Sequence, residues 1–259
     1  MRVMHIDCSM GAAGDMLSAA LLELLPANER DGFVEALNRL GIPGVSVEAE
    51  TSVKCGVNGT HIRVKVHGEE EGHTHGHEAH HEHRGMEEIE HIVNDLEGLS
   101  EKVRDDVMNV YQIIADAESK AHGVPVTEVH FHEVGAMDAI ADVSAVCMLM
   151  DRIGAEHVTA SPVNVGGGTV KSAHGILPVP APATAFILEG IPYYSGDIKS
   201  ELCTPTGAAL LRYFVDGYGD MPSMAIESEG HGMGTKESRR QKVIEMLQLV
   251  GLDESYADR

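Results

Sequence analysis

Residues 1–25 limit the fold more than any other stretch. The run MRVMHI at 1–6 reads as a short strand, DCSMGAAGDM as a small-residue turn, and LSAALLELL as an apolar helix. Strand, glycine turn and helix in succession is the unit from which α/β folds are built. Glycine allows the sharp turn, and amide groups exposed at the helix start can receive an anion. Ser9, Gly11 and Gly14 are therefore candidate ligand-binding positions. Asp7 ends the strand. Asp15 lies in the first helical turn, where it either complements the helix dipole or serves as a metal or substrate group. The turn is neither a Walker loop, since no Lys-Ser/Thr pair follows, nor a dinucleotide fingerprint.

The rest of the chain continues the pattern. A second amphipathic helix at 28–40 is stopped by Gly41 and Pro43. Residues 45–53 and 57–66 alternate as strands, with the hairpin turn expected at 56–59. Helices follow at 86–96 and 101–121, the second with Ser100 as N-cap and with Gly123 and Pro125 ending it. A strand is expected at 158–165, then Gly166, Gly167 and Gly168, whose backbone can approach a ligand closely. Prolines at 178, 180 and 182 enforce an extended path before a helix at 183–188. Thr204 and Pro205 open a helix running to 214. A third glycine-rich loop at 230–236 ends on Lys236, and a strand closes at 243–250.

Between the first strands and the later helices stands HGEEEGHTHGHEAHHEHR, at 67–84. It has almost no apolar residue to anchor a fold, so disorder is expected. Its histidines suit nickel or zinc capture. The expected fold is α/β, a mixed sheet flanked by helices with a disordered His-rich insert. Residues 1–66 form an N-terminal αβ part, 67–84 the insert, and 85–259 a main αβ part that makes one globular unit with 1–66.

Chemistry concentrates at residues 129–143, VHFHEVGAMDAIADV. His130 and His132 are spaced to share one face of a strand. Glu133 follows, Gly135 permits a turn, and Asp138 and Asp142 fall on one side of a helix. Imidazoles and carboxylates at a strand-to-helix joint suit a borderline divalent cation. The ordinary alternatives are an outward strand face for the histidines and a helix cap for Asp138. His174, between alanine and glycine, has little packing of its own. Thr204 and Thr206 at a helix start offer an anion cradle or a plain cap.

Composition excludes some functions. The 19 Lys and Arg against 41 Asp and Glu give a net charge of −22, which disfavours nucleic acid. Four scattered cysteines make neither a disulfide framework nor a zinc finger, so a reducing cytoplasm is expected. No apolar run reaches the roughly 20 residues of a membrane span.

Taken together and in order, HIDCSMGAAGDM, VHFHEVGAMDAIADV, NVGGGTVKSAHGILPVPAPAT, ELCTPTGAALL and GHGMGTK resemble the LarC family, the pyridinium-3,5-bisthiocarboxylic acid mononucleotide nickel insertion proteins. The His-rich acidic insert fits it too. The resemblance implies CTP-dependent cyclometallation of a thiolated pyridinium mononucleotide. The product is the nickel-pincer cofactor of lactate racemase-type enzymes. It also implies a further C-terminal domain that binds CTP and a divalent ion such as magnesium or manganese, this chain resembling the N-terminal part. Metal candidates are then His130, His132, Glu133, Asp138, Asp7 and Asp15. Candidates for taking the ring proton are His132, Glu133 and His174. Ser9, Gly11, Gly14, Gly166, Gly167, Gly168, Thr204, Thr206 and Lys236 are candidates for holding the anionic substrate. Expected partners are that C-terminal domain, the acceptor apoenzyme and a second copy of the chain. The rival readings are a nickel store and a metal-dependent phosphohydrolase.

Overall fold

The computed structural model of the chain describes residues 2–70, 84–131, 134–234 and 246–250. Most of the His-rich insert, together with His132, Glu133 and Lys236, lies outside them. In chain order, β1 (Val3–Asp7) leads into α1 (Gly14–Leu24), and α2 (Ala27–Arg39) follows. β2 (Val45–Lys54) and β3 (Val57–Val66) form a hairpin, with β4 (Glu69–Glu70) folding back on β3, so the disorder expected from residue 67 does not hold for 67–70, where backbone pairing with β3 satisfies the chain. Next come α3 (Met86–Asp95), α4 (Glu101–His122), a 3-10 turn at Val126–Glu128, and α5 (Met137–Ile153). After β5 (His157–Ala160) and β6 (Val163–Asn164), β7 (Thr169–Ser172) and β8 (Gly175–Pro178) form a second hairpin. α6 (Pro182–Ile187), β9 (Tyr193–Tyr194), α7 (Pro205–Phe214), β10 (Gly217–Tyr218), β11 (Glu229–Met233) and β12 (Met246–Val250) complete the described chain.

The main sheet has the order β10-β5-β1-β12-β11-β3-β2 and is mixed. β1 runs parallel to β5 and antiparallel to β12, while β11 runs parallel to β3. The expected class, a mixed sheet flanked by helices, is borne out. Two short pairs stand apart, β6 with β9 and β7 with β8. α1 lies across β11 and β3 and packs on α5, while α4 packs against α6 and α7. With no tryptophan, the core is aliphatic around a few fully buried rings, Phe33, Tyr111 and Phe131.

Helix ends follow the capping chemistry of the sequence. Ser100 accepts a hydrogen bond from the Val103 amide, and Gly123 ends α4 in the left-handed conformation, φ 67°. Thr204 Oγ1 accepts from the Gly207 amide at 3.1 Å, with Pro205 in the first turn of α7.

Three further local expectations need correction. The first hairpin turns at Cys55-Gly56, both with positive φ, rather than at 56–59. Gly59 lies inside β3, where a Cβ would stand 2.5 Å from the His231 carbonyl oxygen of the neighbouring strand. The expected third glycine-rich loop is, over 229–233, strand β11. Its glycines serve close approach: a Cβ on Gly230 or Gly232 would lie 2.1 or 1.9 Å from the Ala20 or Met16 carbonyl oxygen of α1. Finally, the strand expected at 158–165 is two strands, interrupted at Ser161-Pro162, and only β5 joins the main sheet.

Candidate functional site

Three helix starts meet at one cavity. The segment before α1 and the segment before α7 run side by side, bridged at Ala12 and Cys203. Ala12 N donates to Leu202 O at 2.9 Å, and Thr204 N donates to Ala12 O at 3.0 Å. Glycine makes this approach possible. A Cβ on Gly207 would lie 2.2 Å from Ala12 O, and one on Gly11, at φ 96°, would lie 2.0 Å from Leu202 O. Gly14 then sets the first turn of α1 against α5, since a Cβ there would lie 2.7 Å from Cβ and Oδ2 of Asp142.

The cavity between these starts is about 270 Å³. Its wall includes Asp15 from α1, Asp138 and Asp142 from α5, Glu201, and Thr204 and Thr206 at the start of α7. Ile62 and Val64 of β3 and Val134 supply its apolar part. Among the described residues, no lysine or arginine lines it. Asp138 Oδ1 is buried without a hydrogen-bond partner among the described residues. Such an oxygen is costly to leave unsatisfied and suits a ligand that brings positive charge. Helix N-termini carry partial positive charge, so the same wall can also receive an anionic oxygen at the first-turn amides and threonine hydroxyls.

The loop that feeds α5 is fastened from beneath. Buried Tyr111 donates its hydroxyl to Val134 O at 3.2 Å. Burial, and then the carboxylates of Asp138 and Asp142, push the Tyr111 pKa well up. Arg84 donates to Gly135 O at 2.9 Å and bridges Phe131 through the backbone. Val129 and Phe131 are buried with His130 exposed between them, so the chain here is extended and alternating, as its sequence suggests.

A second cavity of about 180 Å³ adjoins the first, sharing Val134, Glu201 and Pro205 with it. Its own wall carries Glu118 and His122 at the end of α4, and Ala173 and His174 at the β7–β8 turn. Together the two lobes reach the few hundred Å³ typical of sites for small organic ligands, roughly 300–1,000 Å³.

Of the residues singled out in the sequence, the structure brings Gly14, Asp15, Asp138, Asp142, Thr204 and Thr206 to the first cavity and His174 to the second. Asp7, Ser9, Gly11 and His130 do not line either. Asp7 Oδ1 accepts from the Ser9 amide at 2.8 Å, and Ser9 O accepts from Asn164 Nδ2 at 2.9 Å. The triple glycine braces the segment that carries Glu201. Gly166 N donates to Asn164 Oδ1, Gly167 N donates to Ser200 O, and Leu202 N donates to Val165 O. Sequence reasoning missed Glu201, Glu118 and His122. Glu201 stands three residues before the Thr204 cap, the one local signal that could have found it. Glu118 and His122 read as an ordinary helix end.

These features define an α/β protein with a two-lobed acidic cleft where three helices begin. The family model described as nickel insertion protein matches residues 4–258, and the chain belongs to that family. A Geobacillus kaustophilus protein named pyridinium-3,5-bisthiocarboxylic acid mononucleotide nickel insertion protein is 38% identical over 237 residues, covering 92% of this chain and 57% of its own length. Proteins of the same name from Clostridium kluyveri and Staphylococcus epidermidis are 40% and 37% identical over 92% and 96% of the chain, each covered over 59% of its length. The chain thus spans just under three fifths of these curated relatives. No solved structure gives a significant match. No described helix is long and apolar enough to cross a membrane.

Proposed function

We propose that this chain carries the nickel-insertion chemistry of its relatives' names, placing nickel(II) into pyridinium-3,5-bisthiocarboxylic acid mononucleotide. The observation that carries the proposal is the convergence of Asp15, Asp138, Asp142 and Glu201 with three helix starts on one cavity. Among the described residues no three of these side chains already surround one point, so at most two carboxylates at a time hold nickel and the substrate's sulfurs complete its shell, while the threonine-lined start of α7 receives an anionic group of the substrate. Oxygen ligands suit a delivery step, because they release nickel to sulfur more readily than thiolates would. His132 and Glu133 stay in the proposed ligand set because they precede Val134 directly in sequence. Of the others first singled out, Asp15 and Asp138 are favoured by position.

In the reaction, two thiocarboxylate sulfurs and one ring carbon bind the metal. The carbon–hydrogen electron pair becomes the carbon–nickel pair, and the proton leaves to a base, so no redox partner is needed. The base is drawn from His174 of the adjoining lobe, His132 and Glu133. CTP, with magnesium or manganese, is the co-substrate the resemblance implies. The product would serve a lactate racemase-type apoenzyme in the cytoplasm.

The test is incubation of the chain with nickel(II) and the thiolated mononucleotide, with and without CTP and magnesium or manganese, reading the absorbance of the nickelated product. Product in either arm, reduced by Asp138→Asn, supports the proposal. No product in both arms, from a cooperatively folded preparation that binds nickel, overturns it.

A further inference from the structure

The second lobe holds two imidazoles in contact. The rings of His122 and His174 have centroids 4.7 Å apart and are tilted by 56°. They arrive from distant parts of the chain, His122 from the last turn of α4 and His174 from the turn between β7 and β8. Glu118 Oε2 lies 3.4 Å from His122 Nε2, one helical turn away. A basic side chain at a helix C-terminus is ordinary, which accounts for His122 alone. It does not account for an exposed hairpin that sets a second imidazole against it. Glu201 lines this lobe and the carboxylate cavity alike.

We propose that Glu118, His122 and His174 form an entry site for nickel, from which the ion passes along Glu201 to the carboxylates. Imidazole nitrogen favours a borderline divalent cation such as nickel over magnesium or calcium. Negative charge from Glu118 and Glu201 adds attraction without selectivity. Among the described residues, no three metal-ligating side chains already surround one point. An ion here is therefore held by the two imidazoles, with water completing its shell, until a carboxylate replaces that water. Such incomplete coordination fits a station that must let go, whereas a closed set of four ligands would retain the metal. This step rests on the reading of the chain as a nickel-handling protein, but its test reads nickel binding without the mononucleotide and is separate from product formation.

The experiment is a nickel(II) chloride titration of the full chain carrying ¹⁵N-labelled histidine, with the imidazole signals assigned through single variants. Nickel is paramagnetic and broadens its ligands. The signals of His122 and His174 should vanish together, while His61, buried with Nδ1 2.7 Å from Met233 O, stays sharp. In His174→Ala, an exposed change that spares the fold, His122 should need at least about tenfold more nickel to broaden. Sharp His122 and His174 signals at saturating nickel would overturn the entry site. So would His122 broadening unchanged by His174→Ala, since that marks nickel bound elsewhere. A chain that forms product with both signals intact sinks the entry site alone. Broadening at the pair without product sinks the insertion reading and leaves the site.

Discussion

On one side of Glu201, position is enforced by backbone; on the other, by side chains on a hairpin. In the carboxylate cavity, Gly11, Gly14 and Gly207 bring three helix starts so close that a single methyl group would collide. In the imidazole lobe, His174 stands on the β7–β8 pair, outside the main sheet, with Ile176 beside it 75% exposed. The contrast matches the two tasks proposed for them. Ligands for bond formation need fixed geometry from a rigid support. A site that takes an ion from solvent and releases it does not.

The two lobes differ most at Gly207. In Gly207→Ala the new methyl meets Ala12 O, a backbone atom held by the Thr204 amide. Overpacking of this kind costs about 1–3 kcal/mol, occasionally more. For a chain of this size, each kcal/mol lowers the melting temperature by roughly 2–4 °C. His174→Ala, an exposed change, should stay within about 0.5 kcal/mol. Thermal unfolding of the two variants measures both, and equal losses would end the distinction between a locked and an adjustable lobe.

Alkaline pH should act on the locked side. Burial pushes the thiols of Cys8, Cys147 and Cys203 up, with Cys203 and Asp7 adding to the effect on Cys8 and Glu201 to that on Cys203. Each folded-state pKa is raised, so the folded state holds these protons more tightly than the unfolded chain. The stability this contributes is complete below the unfolded thiol pKa of about 8.5 and is lost as pH rises through it toward the folded values. Denaturant midpoints should thus be level from neutral pH to about 8 and fall above it. In Cys203→Ala, beside the Ala12 bridge, the fall should be shallower. A midpoint independent of pH over this range would show that the thiols do not titrate with folding.

A smaller effect comes from the support beneath the cavity. Tyr111→Phe removes the hydroxyl that donates to Val134 O and leaves the ring packed on Phe131. The loss should be near 1 kcal/mol, and nickel bound at Asp138 should weaken with it. Unchanged nickel affinity in a variant destabilised by that amount would mean that Val134 does not position the cavity.

Local chemistry made the joints readable: the strand–turn–helix at 3–24, the Ser100 and Thr204 caps, the strands β2 and β3, and the extended Val129-His130-Phe131. Each depends on residues within a few positions of one another. Glycine was ambiguous, because the same residue marks a turn and permits close approach. Gly230 and Gly232 therefore read as loop although they lie in β11 against α1. The convergence of Glu201 with Asp15 and Asp138, and of His122 with His174, depends on the folding together of elements far apart in sequence. No periodicity carries that information.

Gly32 supplies the smallest effect and the sharpest control. It lies exposed within α2, with nothing within 4 Å of an added Cβ and no positive φ. Glycine inside a helix is destabilising by roughly 0.5–1 kcal/mol relative to alanine, mainly through backbone entropy. Gly32→Ala should therefore raise the melting temperature slightly, where the same substitution at Gly207 lowers it. Opposite signs would trace the cost at Gly207 to the contact with Ala12 O rather than to glycine as such. If both variants raised the melting temperature, the entropy of the chain would outweigh the close approach, and the case for helix starts locked by glycine would fail.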